Sequence, residues 1–158
     1  MKLTDIVAEQ AIVANLKSTE RDDVLAELVD ALVASGSVDA SIRDDIIARL
    51  YEREKKGTTG FGKGVAVPHA KHDGLAKMVA AVGLSQRGVD FAALDREPVY
   101  SIFLLISPAE RPDEHLQAME VIFTYLSKDS FRRFLRQADS VDAVTTLLEE
   151  ADSQQFAG

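Results

Sequence analysis

The chain of 158 residues is 46% hydrophobic and 28% charged, the balance of one globular domain large enough to bury roughly two-thirds of its unfolded surface. A formal net charge of −8 argues against nucleic-acid binding, which needs Lys and Arg to neutralise phosphates, and the absence of cysteine excludes disulfides and thiolate metal sites. The acidic opening MKLTDIVAEQ is not a signal peptide and no apolar run reaches the roughly 18 residues of a membrane span, so a cytoplasmic protein without membrane insertion is expected.

The amino-terminal third reads as helical. Thr19 is a candidate cap for a helix whose apolar positions Val24, Leu25, Leu28, Val29, Leu32 and Val33 form a one-sided stripe, with Gly36 as its stop. A second helix is expected from about Ala40, with Ile42, Ile46, Ile47 and Leu50 inward, running through Arg53 and Lys56 to Gly57. The period then changes. Val65–Val67, Met78–Leu84 and Val99–Ile106 are short, rich in β-branched or aromatic residues and bounded by Gly and Pro, as strands are. The last is apolar almost throughout, as a strand covered on both faces would be. Pro112 and Asp113 suit the first turn of a helix with Leu116, Met119, Ile122, Phe123 and Leu126 inward, and helical stretches at about 129–137 and 140–151 follow. Helices before and after strands imply a single α/β layered domain over residues 1–152, with a frayed tail at 153–158. Basic residues are mostly interleaved with acids; only Arg132, Arg133 and Arg136 cluster, and they read as a solvated helix face.

The stretch GFGKGVAVPHA, Gly60–Ala70, carries the chemistry. Gly57–Lys63 matches six-sevenths of a phosphate-binding P-loop, but Gly64 stands where a Ser or Thr must hold magnesium, and a charged helix precedes where a strand should. The glycines Gly60, Gly62 and Gly64 alternate, so the dinucleotide-binding spacing is absent as well. His69, His72 and His115 are the only histidines, and no zinc-type spacing links them. What remains is backbone chemistry. Alternating glycines allow tight turns and close approach of main-chain N–H groups to an anion, and Pro68 presents His69 from a stiff support at a strand end. A neutral imidazole there is a competent nucleophile for a phosphoryl group, although a packed loop histidine fits the same residues equally well. His115 falls in the first turn of its helix, where the positive dipole end favours an anion and a neutral ring.

Arg53-Glu-Lys, the string from Thr59 to His69, Gly88–Asp95, Val99–Ile106 and Glu114-His-Leu116 together resemble the EIIA domain of the phosphoenolpyruvate-dependent sugar phosphotransferase system. The subclass is the fructose/mannitol type, which includes the nitrogen-regulatory EIIA proteins, and the likeness runs over roughly residues 3–150. The resemblance implies a mixed central β-sheet flanked by helices on both faces, with His69 as the phosphorylated histidine, His115 as the second active-site histidine and Arg53 as the active-site arginine. It implies phosphate received from the histidine phosphocarrier protein, then passage to an EIIB domain or regulation of target proteins. No metal or cofactor is implied, because the donor phosphoimidazole is already activated. Thr59 is a candidate hydroxyl donor, and Phe61 is the exposed aromatic expected to dock the carrier. Ala70 stands where the family commonly has Gly, which would disturb a left-handed backbone there. His72 has no counterpart and is expected to be a solvated loop histidine. A free-standing chain opening on Leu3-Thr-Asp-Ile6 favours the regulatory branch.

Overall fold

The computed structural model describes residues 1–153 of the chain. A six-stranded mixed sheet carries helices on both faces. In chain order the elements are α1 Leu3–Ile6, β1 Val7–Val13, α2 Arg21–Ala34, a single 3-10 turn at Ala40–Ile42, α3 Arg43–Lys56, β2 Gly60–Gly62, β3 Val65–Ala66, β4 His69–His72, β5 Val79–Val89, β6 Val99–Pro108, α4 Pro112–Leu126, α5 Asp129–Gln137 and α6 Val141–Asp152. The sheet order is β1-β5-β6-β3-β2, with β4 also on β6. β5 and β6 are antiparallel, whereas β1 on β5 and β3 and β4 on β6 are parallel.

The continuous apolar run of β6 has a two-sided explanation. Phe103 and Leu105 enter one core with Ile122, Phe131, Leu135 and Leu147 from α4, α5 and α6. Ile102, Leu104 and Ile106 enter the other, with Leu25, Leu28, Ile46 and Leu50 from α2 and α3. Alternate residues of a strand face opposite sides, so a central strand between two helical layers must be apolar at every position. Asp152 closes the domain by accepting hydrogen bonds from the backbone N–H of Leu3 at 2.6 Å and of Thr4 at 3.0 Å.

Several sequence expectations need correction. The amino-terminal third is not wholly helical, since Val7–Val13 is a strand on the edge of the sheet. Thr19 is not the cap of α2; Glu20 holds that position without a side-chain bond, and Asp22 and Asp23 complement the helix dipole instead. Gly36 does end the helix region, with φ of 80° and its N–H on the Val33 carbonyl. The expected frayed tail lies, from residue 154 on, outside the described residues.

β3 and β4 are two pieces of one path along the same edge of β6. Val65 and Ala66 pair with Ser101 and Ile102, and His69 to His72 pair with Leu105 to Pro108. Pro68 marks the break, since it has no N–H to give the ladder, yet its carbonyl still accepts from Leu105 N at 2.9 Å. This interruption sets where His69 emerges.

Candidate active site

His69 opens β4 and is half-buried. Its Nδ1 lies 2.8 Å from the Val67 carbonyl. A carbonyl can only accept, so Nδ1 carries the proton and Nε2 keeps its lone pair. The alternation of a strand turns Ala70 and His72 toward α3 and leaves His69 and Lys71 on the opposite face.

On that face His69 meets His115, with ring centroids 5.5 Å apart. His115 is 6% exposed and sits in the first turn of α4, whose first residue is Pro112. Its Nδ1 is 2.6 Å from Ser107 Oγ, on β6. The fully buried Ser107 hydroxyl has no other acceptor in reach among the described residues, so it is assigned as the donor to Nδ1. This leaves the proton on Nε2, the tautomer that can give a hydrogen bond to an oxyanion. Burial pushes the His115 pKa down to about 4, helped by His69 and Lys71. Burial also lowers the His69 pKa, and Arg53 and Lys71 add to this against the opposing Val67 carbonyl and Glu54. Both rings are therefore neutral at pH 7, one as a lone-pair donor and one as a hydrogen-bond donor.

Around the two histidines lies an open cavity of about 560 Å³. Arg49 and Arg53 line it one turn apart on α3, with Lys56 and Lys71 beside them. Arg53 Nη1 donates to the Gly57 carbonyl at 2.7 Å, which anchors the guanidinium at the helix end beside the cavity. Arg49 is more firmly held, with Nε on Asp45 Oδ2 at 3.2 Å and Nη1 on the Lys71 carbonyl at 2.8 Å. Sequence reading overlooked Arg49 and Lys71. The i, i+4 spacing of Arg49 and Arg53 on a helix was the available signal for the first; the second needed His69–His72 to be seen as a strand.

Other expected site residues are placed differently. Thr59 is fully buried, and its hydroxyl and N–H both bond the Glu54 carboxylate. Its hydroxyl is thus a structural link from β2 to α3 and not a donor to the cavity. The three glycines do not form an anion cradle. Gly60 and Gly62 lie in β2, where an added Cβ would come within 3.0 Å of Ala93 and 3.2 Å of Asp95, and Gly64 packs on Tyr100. They allow the hairpin to lie against residues 91–100. Phe61 is 38% exposed and packs edge-on against Phe123, with centroids 4.9 Å apart.

His72 is a buried strand residue, not a solvated loop one. Its Nδ1 accepts from Gly74 N at 2.8 Å and its Nε2–H donates to Asp45 at 2.6 Å. It faces away from the other two imidazoles, so the three rings do not converge. Ala70 occupies ordinary extended backbone in β4; positive φ at non-glycine residues occurs only at Lys63, Ala92 and Arg96 among the described residues. The Gly-to-Ala difference therefore carries no local strain.

Comparison with known proteins agrees with this fold. Residues 5–151 match the family described as phosphoenolpyruvate-dependent sugar phosphotransferase system, EIIA 2. The chain is 32% identical over 148 residues to a nitrogen regulatory protein of Bradyrhizobium diazoefficiens, covering 94% of this chain and 95% of that one. It is 35% identical to a fructose-specific EIIA component of Haloferax volcanii, covering 82% and 83% respectively. Against a fructose-specific EIIABC component of Bacillus subtilis it is 30% identical over 96% of its own length, and spans only 24% of that longer protein. The crystal structure of the nitrogen regulatory protein IIA-Ntr from Neisseria meningitidis superposes with a TM-score of 0.82 at 30% identity, covering 91% of this chain and 97% of that one. A mixed sheet between two helical layers, two histidines facing each other beside an arginine-lined wall and a match over nearly the whole chain lead to one assignment: the chain belongs to the EIIA 2 family of the phosphoenolpyruvate-dependent sugar phosphotransferase system.

Proposed function

We propose that His69 accepts a phosphoryl group through Nε2 from the phosphohistidine of the histidine phosphocarrier protein. The observation that carries this reading is the His69–His115 pair: one ring holds a free lone pair, and the other presents an N–H toward the same cavity. In the transfer the donor's N–P bond breaks as the Nε2–P bond forms. The donor ring leaves as neutral imidazole, and His69 keeps its Nδ1 proton on the Val67 carbonyl while its ring takes up the positive charge. His115 Nε2–H and Arg53 stabilise the transferring oxygens, and Arg49 lies within the same wall.

Phosphorylation serves a regulatory role in this reading, with the phosphorylated and free forms read by partner proteins. The near-complete coverage of nitrogen regulatory relatives in both directions favours this branch. Passage of phosphate to a fructose-type EIIB domain is the second reading, favoured by the fructose-specific relative.

Incubation with phosphoenolpyruvate, enzyme I and the phosphocarrier, followed by intact-mass analysis under conditions that preserve phosphohistidine, tests the reading. One acid-labile phosphate is expected in the wild type and in Ser107→Ala, none in His69→Ala, and slowed uptake in His115→Ala. Phosphate persisting in His69→Ala would overturn the assignment. Prompt transfer to a fructose-type EIIB would select the second branch.

A further inference from the structure

Arg132, Arg133 and Arg136 of α5, together with Lys63 of the β2–β3 turn, line an open depression of about 510 Å³ that shares no residue with the His69 cavity. Asp129 is its one carboxylate and Gln137 completes the lining. In a chain of net charge −8, four cations against a single acid form a local reversal of sign.

The groups are set in place before any ligand arrives. The Arg136 guanidinium lies 3.6 Å from the centroid of the Tyr100 ring. That ring is itself wedged, since a Cβ added at Gly64 or Gly88 would stand 3.2 or 3.1 Å from it. Both glycines have positive φ, 77° and 87°, so two left-handed turns bring the backbone against the ring that supports the arginine. Arg132 is pinned by the Leu126 carbonyl at 2.8 Å and by Asp129. Lys63 sits at φ of 60°, a conformation that costs a residue with a Cβ about 1 kcal/mol, with its N–H on Asp95 Oδ2 at 2.9 Å. Arg133 lies 5.6 Å over the ring of Phe134, which is 45% exposed. The helix face is thus organised, in contrast to the solvated cluster its sequence suggests.

We propose that this face of α5 and the β2–β3 turn is a docking surface for an acidic segment of a partner protein. Carboxylates of that segment meet Arg133, Arg136 and Lys63, and an apolar side chain rests on Phe134. A protein segment is favoured over a small oxyanion because three of the four cations are spread along α5, from Arg132 to Arg136, beside the exposed ring of Phe134. Arginine interleaved with aromatic residues is the composition of protein interfaces. The inference does not depend on phosphorylation of His69.

The test is an NMR titration of the full-length 15N-labelled protein with a synthetic twelve-residue peptide of Glu residues interrupted by Leu and Phe. Shifts are expected at Lys63, Tyr100, Arg133 and Arg136, with affinity falling about tenfold between low and physiological salt. Arg136→Lys, which keeps the charge and loses the planar stack, is expected to weaken binding about threefold. Arg133→Glu with Arg136→Glu, or the milder Arg133→Gln with Arg136→Gln, should abolish the shifts while the remaining spectrum stays unchanged. Shifts centred on Arg49, Arg53 and Lys71 instead, or undiminished binding by the double variants, would overturn the proposal. So would a response of these residues to inorganic phosphate or phosphatidylglycerol vesicles with none to the peptide.

Discussion

Acidification offers a direct measure of how His115 is held. A histidine whose folded pKa lies below its unfolded value binds its proton more readily in the unfolded chain. The stability it contributes is therefore present above the unfolded value of about 6.5 and is lost as pH falls toward the folded value. With the folded pKa near 4, lowering the pH from 7.5 to 5.0 costs about 2 kcal/mol through this group, as the linkage relation gives. Aspartates 39 and 95, held below the usual carboxylate range by backbone N–H bonds, act only at lower pH and leave this window nearly clear. His69 contributes in the same direction, so the isolating comparison is wild type against His115→Gln. Urea unfolding at the two pH values should show the wild type losing about 2 kcal/mol more than the variant. An NMR titration of the His115 Cε1 proton should show no midpoint above pH 5. A midpoint near 6.5, or equal losses in the two proteins, would refute the account of a ring kept neutral by burial.

Arg53→Gln should slow phosphate uptake roughly 10- to 100-fold while shifting stability by less than ~1 kcal/mol, since the guanidinium makes one bond to an exposed carbonyl. Quenched mass analysis checks the rate, and an unchanged rate would remove Arg53 from the mechanism. His72→Leu deletes the Asp45 bond and orphans the Gly74 N–H, so urea unfolding should register a loss of about 2 kcal/mol. A loss within ~0.5 kcal/mol, typical of a surface substitution, would return His72 to the role of a solvated residue. Gly88→Ala places a methyl 2.7 Å from Pro98 Cβ at a left-handed φ, and should lower stability by about 2–3 kcal/mol. A neutral outcome in thermal unfolding would mean that the Tyr100 platform is looser than it stands in the structure.

The layered fold was legible because α2 and α4 carry a helical period and β6 an unbroken apolar run, each strong enough to stand alone. β1 and β4 were not. Val7–Val13 pairs with β5 through an irregular register, so its apolar residues do not alternate cleanly. His-Ala-Lys-His has no strand character of its own and is extended because β6 presents a free edge to it. Missing β4 hid the facing of Lys71 with His69 and of His72 with Asp45. That His69, His115 and Arg53 would lie together was expected only from the likeness carried by the string around Pro68-His69. Arg49 had its i, i+4 spacing to Arg53 as a local signal, and Ser107 depends on a contact between distant segments. The glycines left two roles open in the sequence, since a positive φ serves an anion nest and a tight hairpin alike, and the neighbours at residues 91–100 favour the hairpin.

The His69 cavity has a consequence in its own arithmetic of charge. Four cations, Arg49, Arg53, Lys56 and Lys71, stand against two carboxylates, Asp45 and Glu52, so its mouth is a positive spot of about two charges on an acidic body. A phosphoryl group of about −2 charges, offset by the positive charge that the His69 ring takes up, lowers that spot by about one charge, half of its value. A partner would meet a different field in the two states. Discrimination between the two forms then falls on the rate of encounter, which salt suppresses, more than on the fit once docked.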